Sequence, residues 1–189
     1  MRRLILQMGV TMDGYVAGSG GEGDWRLGPE DPGVRAWKIE SLRQIGTHIM
    51  GRVTYEQMSR HWPSSTDEYA PFMNDLPKVV FSKTLPSAGW ASSRIARGNL
   101  VEEVAALKNE SGGDIMAHGG ATFVQALSRN GLIDEYRLVI LPVALGSGLP
   151  LFKNLVRPLR LDLSESTGFA SGTLINVYEP ISAAESPKR

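Results

Sequence analysis

The sequence predicts an α/β domain: one mixed central sheet, helices on both of its faces, and an antiparallel edge supplied by the C-terminal end. Three observations predict it. Short apolar runs suited to buried strands alternate with stretches of helical period through most of the chain. Glycine or a small polar residue stands after several strands, at Gly51, Ser82 and Gly119-Gly120. Beyond residue 134 only strand-like runs follow, which puts an antiparallel margin on an otherwise parallel sheet.

Residues 4–10 form a short apolar run, the first buried strand. Asp13-Gly14 ends it, and a glycine-rich loop runs through Gly18, Gly20, Gly21 and Gly23 to Asp24-Trp25. A loop of that length in a compact domain is functional or mobile. Asp31-Pro32 opens the first helix, with the aspartate as N-cap and the proline at the first helical position. Val34, Trp37, Leu42 and Ile45 give it an apolar face. Residues 47–50 are the next strand, and Gly51-Arg52-Val53-Thr54 turns into a short helix through Met58. The prolines within 60–77 predict surface loop. Lys78-Val79-Val80-Phe81 is a strand stopped by Ser82-Lys83, and a weaker strand covers 92–96.

Asn99 and Glu102 stand at capping-box spacing before a helix that buries Leu100, Val101, Val104 and Leu107 and ends at Gly112-Gly113. Residues 114–117 make a strand, and Gly119-Gly120 lead into a helix with Phe123, Ala126 and Leu127 on one face. Gly131 stops it. Residues 134–143 are the most strand-like run of all, and 159–167 with 172–178 form a C-terminal hairpin. One domain over 1–181 and a frayed tail over 182–189 are expected.

Composition narrows the function classes. With 189 residues the chain is long enough for one sizeable domain and short for two. Twenty Lys and Arg balance twenty Asp and Glu, so no overall charge draws it to nucleic acid or an anionic membrane. The absence of Cys removes thiol nucleophiles and thiolate metal sites. His48, His61 and His118 show no metal-ligand spacing, so no metal is expected. The first apolar run ends too early for a secretory signal, and no run is long enough to span a membrane. A cytoplasmic protein without nucleic-acid or membrane partners is the expectation.

Three places share one grammar, a strand followed by a glycine or small polar residue: Met50-Gly51-Arg52, Phe81-Ser82-Lys83 and Ala117-His118-Gly119-Gly120. In open α/β sheets ligands gather outside the carboxyl ends of the strands. Helix N-termini there offer free N–H groups and partial positive charge. Arg52, Ser82, Lys83 and Thr122 add charge and hydrogen bonds, and together these features suit an anionic, nucleotide-like ligand. One glycine pair before a helix is commonly just a turn, and the weight lies in three junctions on one sheet. Neither a Gly-x-Gly-x-x-Gly fingerprint nor a Walker loop is present.

The segments His48-Ile49-Met50-Gly51-Arg52-Val53-Thr54-Tyr55-Glu56, Lys78-Val79-Val80-Phe81-Ser82-Lys83 and Ile115-Met116-Ala117-His118-Gly119-Gly120 resemble, in order and spacing, the dihydrofolate reductase-like superfamily. The opening Thr11-Met12-Asp13-Gly14-Tyr15-Val16-Ala17 and the run from Gly131-Leu132-Ile133-Asp134-Glu135 to Leu141-Pro142-Val143-Ala144-Leu145-Gly146-Ser147-Gly148 resemble its bacterial branch with the riboflavin-biosynthesis reductase domain. The resemblance covers nearly the whole chain and implies the three-layer fold of that superfamily.

It also implies NADPH as cofactor, held by Gly51, Arg52, Val53, Thr54, Ser82, Lys83, Gly119, Gly120, Ala121, Thr122 and Phe123. Ser82-Lys83 would lie near the 2′-phosphate, and the glycine pair under the pyrophosphate and nicotinamide ribose. At the substrate end Asp13 and Trp25 are the candidate catalytic residues, the aspartate just past the first strand and the indole able to cover a flat ring. Asp13 has an equally good reading as a turn residue with Gly14. His118 either packs or donates to the cofactor, and His61-Trp62 either rims the cleft or simply packs. On the first helix Arg35 stands where dihydrofolate reductases carry a buried acid.

The reading is an NADPH-dependent reductase that moves a hydride to a small N-heterocyclic or C=N/C=O substrate. The alternatives are a nucleotide-binding module without turnover and a true dihydrofolate reductase. The resemblance also implies a homodimer paired through sheet edges, with residues 138–143 and the C-terminal strands as the apolar edges.

Overall fold

Leu4, Ile5 and Leu6 are consecutive, and none has exposed surface. Successive strand side chains point to opposite sides, so only a strand covered on both faces can bury all three. That strand is β1 (Leu4–Thr11), at the centre of an eight-stranded sheet. The computed structural model describes residues 1–18 and 28–181.

In chain order the elements are β1, β2 (Tyr15–Ala17), α1 (Pro32–Leu42), β3 (Ile45–Gly51), α2 (Arg52–His61), a 3₁₀ turn at Trp62–Ser64, and α3 (Ala70–Asp75). Then follow β4 (Lys78–Phe81), β5 (Ser93–Ala96), α4 (Leu100–Asn109), β6 (Asp114–Ala117), α5 (Ala121–Arg129) and β7 (Glu135–Leu141). β8 (Leu149–Pro150), β9 (Leu161–Gly168) and β10 (Leu174–Pro180) complete the chain. Across the sheet the order is β5-β4-β3-β6-β1-β7-β10-β9. The first six run parallel, β10 runs antiparallel to β7, and β9 is antiparallel to β10. This is the expected α/β architecture with an antiparallel C-terminal edge.

Two apolar layers follow from the alternation. Ile5, Met50, Val80 and Met116 face Leu42 of α1, Tyr55 of α2 and Met73 of α3. Leu4, Leu6, Ile49, Val79, Ile115 and Ala117 face Val104 and Leu107 of α4 and Val124 and Leu127 of α5. The helix starts follow their caps. Asp31 accepts the amides of Gly33 and Val34, and Asn99 those of Val101 and Glu102.

Four expectations change. α1 ends at Leu42, so Ile45 opens β3 instead of joining the helix face. The 60–77 segment holds a 3₁₀ turn and α3, because Pro63 and Pro71 occupy first-turn positions whose amides need no intrahelical partner. Val101, expected inside, is 42% exposed in the first turn of α4. β7 lies between β1 and β10, so residues 138–141 are interior and offer no edge, and β9 is the outermost strand on that side. β2 and β8 pair in a separate two-stranded sheet that their few residues gave no periodic sign of. Among the described residues no helix is long and apolar enough to cross a membrane. The expected tail over 182–189 and the loop residues Asp24 and Trp25 lie outside the described residues.

Candidate functional site

The strands bearing the three junctions are neighbours. β4, β3 and β6 stand side by side in parallel, followed by β1. Gly51 pairs with Phe81 and Ile49 with Ala117, and the His118 amide donates to the Ile49 carbonyl at 2.9 Å. Ser82, Gly51, the His118-Gly119-Gly120 turn and the Thr11–Asp13 turn therefore line one carboxyl edge in that order. Sequence separation hid this, since β6 follows β3 by more than sixty residues yet inserts between β3 and β1.

Two helices start on that edge without a side-chain cap. Gly51 is the N-cap of α2 and Gly120 that of α5, and neither offers a side-chain acceptor. Their first-turn amides keep donor capacity and carry the positive end of the helix dipole. A Cβ at Gly51 would come within 3.2 Å of the Phe123 Cβ, so a larger residue there would press on Phe123. Phe123 and Phe81 pack with ring centroids 5.1 Å apart, holding α5 against the end of β4. Beside Gly51, in the first turn of α2, the Thr54 hydroxyl is buried and has no hydrogen-bond partner among the described residues. A buried orphan hydroxyl costs free energy unless a ligand satisfies it.

The other expected cofactor residues are placed as follows. Arg52 pairs with Glu56 one turn along its own helix at 2.8 Å, and Val53 is half exposed. The Ser82 hydroxyl accepts the Leu85 amide at 2.9 Å, so its oxygen closes the turn after β4. Lys83 is exposed and has no ion pair among the described residues. Ala121 is buried and Thr122 exposed at the start of α5. The sequence reading missed Arg97. It follows β5, and its guanidinium donates to the carbonyls of Lys83 at 3.2 Å and Leu85 at 2.6 Å, bringing a second cation to that turn. The signal available was its place directly after β5, which pairs with β4 at Phe81 and Ala96.

Asp13 holds two segments together. Its carboxylate accepts the Thr11 hydroxyl at 2.6 Å, the Gly146 amide at 2.7 Å and the Leu145 amide at 3.0 Å. These bonds, Thr11 first, hold its carboxyl below the usual carboxylate value. It serves as an anionic clasp between the end of β1 and the loop after β7.

A cavity of about 230 Å³ opens on the α1 side of the sheet. Met8, Leu42, Trp62, Met73 and Met116 supply apolar walls, and Lys38, Tyr69 and His118 supply polar groups. It begins where the glycine turn of β6 ends, since His118 directly precedes Gly119. Trp62 lines it and His61 only packs edge-on against Trp62, with ring centroids 4.6 Å apart. Lys38 is bound to Glu30 at 2.5 Å, and the Tyr69 hydroxyl donates to Glu30 at 2.9 Å. Burial, then the Glu30 contact, push the Tyr69 phenol well above its ordinary value. Arg35 pairs with Asp67 at 2.6 Å and lies near Glu30 and Glu68.

Behind His118 stands a second histidine, which spacing alone did not connect to it. His118 Nε2 and His48 Nδ1 are 2.9 Å apart, and His48 Nε2 is 3.0 Å from the Phe72 carbonyl. His48 is pushed down to about 4 by burial, with the nearby Lys78 ammonium adding to it. Burial, then His48, hold His118 well below the ordinary value too.

This architecture recurs in known proteins. A protein of Bacillus subtilis described as uncharacterized protein YyaP is 35% identical over 94% of this chain and 94% of its own. A Shewanella sp. PV-4 structure described under riboflavin biosynthesis superposes with TM-score 0.75 at 22% identity, covering 95% of this chain and 99% of that one. The Thermotoga maritima diaminohydroxyphosphoribosylaminopyrimidine deaminase/5-amino-6-(5-phosphoribosylamino)uracil reductase gives TM-score 0.69 at 14% identity, over 95% of this chain and 57% of that longer one. Enterococcus faecalis dihydrofolate reductase, complexed with NADP(H) and RAB-propyl, gives 0.62 at 14% identity, over 94% and 96%. At these identities the solved structures establish a dihydrofolate reductase-like fold. With residues 2–175 also matching the RibD C-terminal domain, the parallel sheet, its glycine junctions and its antiparallel edge place this chain in the RibD C-terminal domain family.

Proposed function

We propose that the protein is an NADPH-dependent reductase acting on a small N-heterocyclic or C=N/C=O substrate. One observation carries the reading. Two uncapped helix N-termini and the orphan Thr54 hydroxyl converge on adjacent strand ends, beside a cavity with both apolar and polar walls. Those donors suit a pyrophosphate, and the cations at Lys83 and Arg97 suit a phosphorylated ribose. The names of the similar proteins, a uracil-type reductase and a dihydrofolate reductase bound to NADP(H), lend the same support.

In this reading the first-turn amides of α2 and α5 and the Thr54 hydroxyl bind the dinucleotide's phosphates. Gly51 and the glycine turn allow close backbone approach. When bound, the dinucleotide supplies a hydride. Trp62 and the methionines exclude water and offer a flat face. Lys38 Nζ and Tyr69 Oη hold protons at the cavity wall, the former fixed by Glu30. Asp13 positions the loop after β7 beside the end of β1. Trp25 belongs to this proposal by its position in the chain.

The second reading, nucleotide binding without turnover, is favoured by Arg35. It fills the helix position expected to bear an acid, and its guanidinium is engaged with Asp67. Calorimetric titration with NADPH and NADH, followed by NADPH oxidation with pterins, pyrimidines, quinones and dicarbonyls, tests both. Binding with oxidation supports the reductase, binding without oxidation supports the module, and no binding overturns both.

A further inference from the structure

The two histidines beside the cavity have a fixed order of donors and acceptors. The Phe72 carbonyl can only accept, so His48 carries its proton on Nε2 and donates there at 3.0 Å. In neutral His48 the other nitrogen, Nδ1, is then an acceptor. His118 must answer with a donor, so its proton sits on Nε2, 2.9 Å from His48 Nδ1. That leaves His118 Nδ1 with a bare lone pair. No described residue bonds it, and it is not among the buried unpartnered side-chain atoms of the described residues. His118 lines the cavity, so a ligand seated there lies against its ring.

The same order excludes proton delivery. A relay into the cavity through His118 would have to be refilled from behind His48, and the group behind His48 is a backbone carbonyl with no proton to give. The surroundings keep the pair neutral. Lys78 is the charged group acting on His48 and His48 the titratable group acting on His118, while Lys38 shares the cavity but is held by Glu30. The pair is a dead-ended acceptor.

We propose that the His48–His118 pair is a specificity element: it fixes His118 Nδ1 as an acceptor that selects flat ring ligands bringing an N–H donor to it, such as lactams and cyclic imides. This deepens the reductase reading in that it takes the cavity as the substrate site, but the tautomer and the ligand preference do not depend on NADPH. A ring nitrogen bearing a methyl group in place of hydrogen leaves the lone pair unanswered, at the cost of a lost hydrogen bond.

Long-range ¹H–¹⁵N NMR of the imidazoles reads the tautomer in the unmodified protein. His118 protonated on Nε2 and bare on Nδ1 is expected, and the opposite tautomer overturns the proposal. Calorimetry with quinazoline-2,4-dione and its 1,3-dimethyl derivative reads the selection. The wild type should prefer the N–H ring by about tenfold or more. In His48→Leu/His118→Leu, which removes both partners together and leaves neither orphaned, most of that preference should vanish. An equal preference in the two proteins, or no binding of quinazoline-2,4-dione to the wild type, overturns the proposal. Should the double variant not fold, the tautomer measurement and the wild-type preference decide it. Failure of NADPH to bind would end the reductase reading and leave these outcomes intact.

Discussion

The Asp13 carboxylate accepts the Gly146 amide at 2.7 Å, tying the turn after β1 to the loop after β7 across most of the chain's length. The bond needs the ionised form, because a protonated carboxyl loses acceptor strength. Asp13 has its carboxyl held below the ordinary value by Thr11 and then Gly146. A lowered native value means that the clasp contributes stability above about pH 4 and loses it as pH falls through that native value. Asp13→Asn should therefore melt lower than wild type at neutral pH and show a shallower loss of stability below pH 4. Thermal melts across the acid range check this, and an unchanged acid limb in the variant refutes it.

Thr54→Val separates binding from folding. The hydroxyl is buried without a partner in the free protein, so replacing it by a methyl of the same shape should stabilise the fold by about 1 kcal/mol. If the hydroxyl meets a phosphate, NADPH affinity should fall by about tenfold in the same variant. Denaturant melts and calorimetry read the two effects, and a change of the same sign in both counts against the assignment.

Lys83→Ala tests the ribose end. The side chain is exposed and without an ion pair among the described residues, so the melting temperature should not move. NADPH affinity should drop by roughly tenfold while NADH affinity stays the same. Equal losses for both dinucleotides would place the lysine away from the 2′-phosphate.

The histidine pair predicts an acid-side loss of stability. His48 is lowered from 6.5 to about 4 in the folded protein, chiefly by burial. The unfolded chain therefore binds the extra proton between those values, and stability falls as pH drops from about 6.5 to 4, on the order of 3 kcal/mol for His48 alone. In His48→Leu/His118→Leu that slope should be largely gone. Chemical denaturation at pH 7, 5.5 and 4.5 measures it.

The core strands and most helices were legible because their signals are local. Lys78–Phe81 and Asp114–Ala117 are strands at their expected bounds, and Asp31 and Asn99 cap where their side chains can reach the next free amides. α3 was hidden by prolines that break a helix interior but suit a first turn. At the site, the glycine junctions were visible as motifs. Arg97 and the His48–His118 contact were not, since each depends on which strand lies next to which.

By itself the chain's pattern of apolar runs, caps and glycines determined the α/β class, the junctions that suit a nucleotide and the resemblance to a reductase family, because those features act between residues close in sequence. Only the tertiary structure decided that β6 inserts between β3 and β1, so that the junctions share one edge. It also decided that Asp13 clasps a distant loop and that His118 is backed by a histidine seventy positions away. The physical reason is the same in each case: a hydrogen bond or a shared cavity is set by distance in space, and long-range strand pairing alone brings those groups within it.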